Sequence, residues 1–271
     1  MTLKLEFSTV ACADWSLERA LEQARRWGYE GLELHLVDGQ LIGLDLSSSD
    51  RESIGRLLRE SGLGLVAAGS SIRLLNDQLD VEVENELVSF LELAAEWSAP
   101  LVRVFGGDTP DGISNEDAVA KAVRILVQTS VVAERLGVKI GLETHDSFSA
   151  ATTVARVLAR VPSPHVGVVW DMLHTYRMGE TPEQVWDLIG PRIFNVHVKD
   201  ARRVPDGEGW QLVLLGDGEV PAREAIGVLR RGGYEGWLVV EWEKRWHPEL
   251  EDPDVALPHE IAMLRDWLQD I

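Results

Sequence analysis

A chain of 271 residues could be split into two small domains or close as one barrel, which typically takes about 250 residues. Its 45 acidic residues outnumber 26 basic ones, for a formal charge of −19, and a field of that sign repels nucleic-acid phosphate and anionic membrane surfaces. Cys12 is the single cysteine, which excludes a disulfide within the chain and points to a reducing, cytoplasmic compartment. Met1 to Asp14 lacks a signal-peptide pattern and no apolar run reaches 18 residues, so a soluble protein without a membrane span is expected.

Read by hydrophobic periodicity, strands and helices alternate from one end of the chain to the other. Residues 3–9 read as a first strand and 16–27 as an amphipathic helix closed by Gly28. A second strand at 31–36 carries Glu33-Leu-His35, and Asp50 is placed as the cap of a helix that runs to 61 and stops at Gly62. Residues 63–68 form a third strand, 81–97 a helix, and 101–105 a fourth strand ending in Gly106-Gly107. A long helix at 115–136, closed by Gly137, leads to a fifth strand at 139–144, and a helix at 150–160 leads to a sixth at 166–171. Thr181-Pro182-Glu183-Gln184 is a capping box with proline at the first helical position, so a helix starts there. A seventh strand at 193–199, a hairpin across 203–215, a helix at 222–231, an eighth strand at 237–242 and a last helix to 268 complete the order. Strict alternation with short linkers predicts an α/β fold, a single (β/α)8 TIM barrel over residues 1–271. The rival doubly wound fold needs a glycine-rich phosphate turn after an early strand, which the sequence lacks.

Four of the predicted strands end on a carboxylate or an imidazole: Glu143, Asp171, His197 and Glu241. The first two intervals are 28 and 26 residues, one strand plus one helix with loops, and the third is 44, one such unit with the hairpin added. In a parallel barrel these positions converge at the carboxyl ends of the strands. Three oxygen donors and one nitrogen make a coordination set for one divalent cation, with Mn2+, Mg2+ or Co2+ suited to it and Zn2+ also compatible. Burying several carboxylates together without a cation costs several kcal/mol per charge, which favours a metal over a hydrogen-bonded polar floor.

Together with Asp171-x-x-His174, His197-x-Lys199-Asp200, Gly216-Asp-Gly218 and Gly233-Tyr-x-Gly236, these residues resemble the xylose-isomerase-like TIM barrels over essentially the whole chain. That superfamily includes ketose 3-epimerases, hydroxypyruvate isomerase, inosose dehydratase, dehydroshikimate dehydratase and endonuclease IV. The resemblance implies Glu143, Asp171, His197 and Glu241 as ligands of one divalent metal, with Mn2+ the first expectation. It also implies His174 and Arg203 as substrate-binding residues, and assembly into a dimer or tetramer. The chemistry that follows is proton abstraction next to a carbonyl of a small carbohydrate-like substrate, with Glu143 and Glu241 as the proton-transferring pair and the metal stabilising an enediolate. Return of the proton to the other face gives an epimerase, and return to the adjacent carbon gives an isomerase. Expulsion of a β-hydroxyl from the same intermediate would instead make a dehydratase. One position departs from the ketose 3-epimerase pattern: a substrate-binding glutamate six residues after the first ligand is replaced by Ser149, which leaves polyol, keto-acid and inosose substrates open.

Other residues carry a functional and a structural reading side by side. His145 shares the face of Glu143 and is a candidate substrate contact or a loop histidine. Glu33 and His35 are candidate substrate contacts or a structural polar pair, and Lys199 either binds substrate or balances charge, with Asp200 orienting it. Arg103, inside an apolar strand, needs a carboxylate partner and is expected in a buried pair. Trp15, Trp170 and Trp242 are candidate pocket walls, and the stretch 246–258 a candidate lid, whereas His165 and His259 read as structural. A DNA-repair role would need further histidine ligands, yet none occurs between His35 and His145 or between His197 and His247. A barrel that binds without catalysing is the remaining alternative, and it predicts loss of at least one ligand.

Overall fold

Eight parallel strands close into a barrel in the computed structural model, which describes residues 3–205, 207 and 209–270. In chain order the elements are β1 (Lys4–Ser8), α1 (Leu17–Trp27), β2 (Gly31–Leu34), β3 (Leu36–Val37), β4 (Gln40–Leu41), α2 (Ser48–Ser61), β5 (Gly64–Arg73), α3 (Asp80–Glu96), β6 (Leu101–Phe105) and α4 (Asn115–Leu136). Then follow β7 (Lys139–Glu143), α5 (Ala151–Leu158), β8 (Val166–Asp171), α6 (Met172–Arg177), α7 (Pro182–Ile189), β9 (Ile193–Val198), β10 (Asp200–Arg203), β11 (Trp210–Val213), α8 (Ala222–Arg231), β12 (Trp237–Val240) and α9 (Pro253–Asp270). Around the barrel the order is β1, β2, β5, β6, β7, β8, β9 and β12, with β12 pairing back to β1. The closed ring is what the alternation predicts, because each helix carries the chain back over the outside to start the next parallel strand. Among the described residues no helix is long and apolar enough to cross a membrane.

The helix boundaries follow local chemistry. Ser16, Ser114 and Thr181 each accept a backbone N–H of the first turn, and Gly28, Gly62 and Gly137 close their helices in the left-handed conformation. The cap of α2 is Ser47 and not Asp50. The Ser47 hydroxyl accepts the Asp50 N–H (3.2 Å) and donates to the Asp50 carboxylate (2.6 Å), so Asp50 answers the cap from inside the first turn. Periodicity also misses two short elements. The β3–β4 ribbon turns on Asp38 and Gly39, both at positive φ (50° and 77°), the usual conformation of a two-residue hairpin. α6 starts directly on Asp171, which caps it. The antiparallel β10–β11 ribbon begins at Asp200, three residues before the 203–215 segment expected for it.

Two packing regions position the site. A large apolar cluster lies between the barrel wall and the helices, and a smaller one of Ala67, Leu101 and Val169, with Phe194 against it, is separate. Because strand side chains alternate, Leu101 and Arg103 share a face, as do Val169 and Asp171. Toward the carboxyl ends those faces therefore change from apolar to charged. Gly69 makes room for that change, since a Cβ there would come within 3.1 Å of the Arg103 guanidinium and 3.2 Å of the His35 side chain.

Candidate metal centre

Four adjacent strands of the ring deliver the site. Glu143 ends β7, Asp171 ends β8, His197 lies one residue before the end of β9, and Glu241 follows β12. One ligand atom from each of the four lies within 4.8 Å of all the others, and all four residues are buried. Nδ1 of His197 is 3.2 Å from Glu143 Oε1 and 3.3 Å from Glu241 Oε2. Asp171 divides its work: Oδ1 accepts the N–H groups of Leu173 (2.8 Å) and His174 (3.1 Å) as the cap of α6, which leaves Oδ2 for the cluster.

The surrounding charges hold this set in place. Glu33, one residue before the end of β2, accepts from Nε2 of His197 at 3.0 Å, so the imidazole is fixed by a carboxylate on the side away from the other candidate ligands. Arg103 is fully buried, with Nε 3.4 Å from Glu143 Oε2 and a terminal nitrogen 2.9 Å from Nδ1 of His35. Lys199 Nζ lies 2.8 Å from Asp171 Oδ2 and also meets Glu241 and Glu243. Burial alone would push the His197 and Lys199 cations toward neutrality, but the carboxylates of Glu241, Glu33 and Glu143 around the first, and of Asp171, Glu241 and Glu243 around the second, raise both well above their ordinary values. Burial likewise opposes ionisation of Glu241, yet the His197 and Lys199 charges outweigh it and hold the carboxyl well below the usual range.

The donor set fits a divalent metal ion. Glu143 Oε2, Asp171 Oδ2 and His197 Nδ1 are buried and touch Arg103, Lys199 and the neighbouring carboxylates, but none has a well-directed hydrogen bond, which a buried polar atom normally has. Four buried carboxylates, those of Glu33, Glu143, Asp171 and Glu241, face two fixed cations, Arg103 and Lys199. A dication beside a neutral His197 would balance them.

The candidate substrate residues separate into two groups and one outlier, Arg203. His174, one turn into α6, has Nε2 3.7 Å from Asp171 Oδ2, and its ring meets that of His145 edge-on at 4.4 Å. Burial, with Lys199 nearby, lowers His174 to about 3. His145 donates through Nδ1 to Asp146 Oδ1 at 2.7 Å; burial opposes its protonation, but Asp146 and Glu143 raise it overall. Both lie beside the ligands. Glu33, His35 and Lys199 are buried and engaged with protein groups, His35 being lowered to about 3 by burial and the Arg103 charge. Arg203 stands apart from both: it is exposed on β10, with its guanidinium 5.2 Å from the Trp210 ring centroid.

Several other residues are accounted for structurally. Asp200 accepts the N–H groups of Gly216, Gly218 and Val220, each at 3.0 Å, and a side chain on Gly218 would collide with its carboxylate, which explains the Gly-Asp-Gly run. Trp170 and Trp242 are buried and commit their indole N–H groups to Thr175 and to the Glu251 carbonyl, and Trp15 packs against Trp27. His165 and His259 each bond a backbone carbonyl. The segment after β12 faces the β10–β11 ribbon across a cavity of about 720 Å3 that none of the four ligands lines. Sequence reasoning missed Glu6, Asp146 and Glu243. Glu6 showed a signal, a lone carboxylate among apolar residues of β1. It is fully buried, 3.4 Å from the Asn195 amide, and burial with Glu33 nearby raises it well above the carboxylate range.

Comparison with known proteins points the same way. The family model described as "Xylose isomerase-like TIM barrel" matches residues 21–267. An inosose dehydratase of Bacillus licheniformis is 31% identical over 148 residues, an alignment spanning 49% of this chain and about half (47%) of that protein. An inosose isomerase of Halalkalibacterium halodurans is 25% identical over 237 residues, 83% of this chain and 82% of the relative. The crystal structure of an IolI protein with a bound zinc atom superposes with a TM-score of 0.84 at 21% identity, covering 99% of both chains, and so shares the fold.

Proposed function

The chain belongs to the xylose isomerase-like TIM barrel family, and from that premise we propose that it is a divalent-metal-dependent isomerase or epimerase of a small sugar-like hydroxy-ketone. The observation that carries this reading is the convergence of Glu143, Asp171, His197 and Glu241 to within 4.8 Å. Their arrangement around the ring adds to it. Glu143 on β7 and Glu241 after β12 stand at the two ends of the four-strand arc, with His197 Nδ1 touching both.

Glu143, Asp171, His197 and Glu241 would hold the cation, Mn2+ first among the candidates. A bound divalent ion supplies Lewis acidity for negative charge developing on substrate oxygens. The protein's own residues do the rest. One glutamate takes the proton from the carbon beside the carbonyl, and the other, reaching from the opposite flank, returns one. Arg103 and Lys199 fix the two glutamates through ion pairs, Arg103 with Glu143 and Lys199 with Glu241. His145 and His174, in contact through their rings, present imidazole nitrogens to substrate hydroxyls. Relatives that include both an isomerase and a dehydratase are consistent with one intermediate having two fates.

The test is incubation of Mn2+-loaded protein in D2O with ketoses, inososes and hydroxy-keto acids. Deuterium incorporated at carbon without loss of water is the expected result. A new enone or deoxy product would make the enzyme a lyase. Replacing Glu143 or Glu241 by glutamine should lower exchange by roughly 10²- to 10⁴-fold. Unaltered exchange in both variants would overturn the assignment, and no exchange in any panel member would favour a binding barrel.

A further inference from the structure

The residue after His145 combines backbone strain with a short polar contact. Asp146 stands at φ 49°, in the left-handed region that residues other than glycine seldom enter, aspartate and asparagine more readily than the rest but still at a cost. Its Oδ1 lies 2.7 Å from Nδ1 of His145. The turn around it is pinned from several directions. The Asp146 carbonyl accepts both the N–H (3.2 Å) and the hydroxyl (2.8 Å) of Ser149. Phe148 donates its N–H to the His145 carbonyl at 2.8 Å, and its buried ring sits where any side chain on Gly106 would collide with it. An unfavourable backbone conformation persists only when the surroundings impose it, and such residues gather where a side chain must be held in one geometry.

We propose that Asp146 is a positioning residue for His145: its carboxylate receives the Nδ1 proton, sets the plane of the ring, and leaves Nε2 as the nitrogen offered to a substrate oxygen. An ionised carboxylate can only accept, so the proton of this bond belongs to the imidazole. The ring has little freedom otherwise, with Phe105 at 4.7 Å on one side and His174 at 4.4 Å on another. Arg73 Nε, 3.5 Å from Oδ2, holds the second carboxylate oxygen. A carboxylate behind an imidazole serves the same purpose in hydrolytic triads, where it selects the tautomer. The catalytic consequence rests on the isomerase reading, whereas the tautomer and ring orientation do not.

Two substitutions separate the carboxylate from the backbone. Asp146→Gly relieves the positive φ while removing the acceptor, and Asp146→Asn keeps the shape and tolerates the same φ. The measurements are the ¹⁵N spectrum of the imidazoles in Mg2+-loaded protein, assigned with His145→Gln, together with Mg2+ affinity, kcat and KM. At a pH where the His145 ring is neutral, the wild-type proton should reside on Nδ1, and Asp146→Gly should abolish that preference. The glycine variant should lose roughly 10- to 100-fold in kcat, the range seen for outer partners of functional histidines, with KM and Mg2+ affinity essentially unchanged. A wild-type proton on Nε2, or a glycine variant of unaltered kcat, overturns the proposal. If no hydroxy-ketone is turned over by the wild type, the isomerase reading falls, and the imidazole spectra alone decide the positioning role.

Discussion

Replacing Glu33 by glutamine tests how much of the metal affinity comes from a residue outside the ligand set. Glu33 Oε2 is 3.0 Å from His197 Nε2, and both side chains are fully buried. Burial alone would raise the Glu33 carboxyl, but the His197 charge and hydrogen bond lower it overall, so it stands as a carboxylate. Glutamine keeps the volume and an acceptor oxygen and removes only the charge. Outer partners of metal-bound histidines are worth roughly 10- to 100-fold in affinity, which is about 1.4–2.7 kcal/mol. That lies below the ~4 kcal/mol that two unit charges 4 Å apart exchange at an effective dielectric of 20, as expected when the acceptor bond survives. The sign of the pH dependence also follows. Glu241, Glu33 and Glu143 raise His197, against burial, so below its raised value a metal must displace a proton that Glu33 also stabilises. The variant's deficit should therefore be smaller at low pH and full once His197 is neutral. Calorimetric titration with Mn2+ at two pH values measures both. Equal Mn2+ affinity in the variant and the wild type at the higher pH would refute the argument.

Two further outcomes concern stability. Arg103→Ala leaves the buried Glu143 carboxylate without its guanidinium partner and should cost about 3–5 kcal/mol in denaturant unfolding; a loss below about 1 kcal/mol would mean that the pair contributes little. Glu260 is buried and raised to about 8 by that burial, while accepting the Leu215 N–H at 3.2 Å. A carboxyl raised in the folded state contributes stability that is complete below its unfolded value and lost as pH rises through the folded one. Between about pH 4.5 and 8 this group should thus remove up to roughly 4–5 kcal/mol. Glu260→Gln, which retains an acceptor for Leu215, should match the wild type near pH 5 and exceed it near pH 8.5. A stability difference that does not change with pH would sink this account.

The four candidate ligands were legible because each lies at or within one residue of the carboxyl end of a largely buried strand, where a charged side chain is conspicuous and where one strand-plus-helix period returns the chain to the same level of the barrel. Helix ends were legible for a similar reason, since a capping hydroxyl or a left-handed glycine acts within four residues. Even there Asp50 was misplaced, because Ser47, Ser48, Ser49 and Asp50 are all competent caps and only the backbone conformation selected Ser47. Partnerships across the barrel left no local trace. In the sequence Glu33 and His35 read as substrate contacts or a structural polar pair with no partner named, and closure of the ring sets Glu33 against His197, 164 positions away, and His35 against Arg103. A shift of register between Leu32 and Glu33 in the β2–β5 pair accompanies that placement, and such a bulge re-aims the side chain that follows it. Arg203 shows the converse. The resemblance implied it as a substrate residue, and the tertiary structure sets it on the exposed β10–β11 ribbon over Trp210, an environment that no local pattern announced. Periodicity and caps report energies spent within a few residues, whereas the pairing of buried charges is decided by which strands become neighbours and in what register, and that is a property of the closed barrel alone.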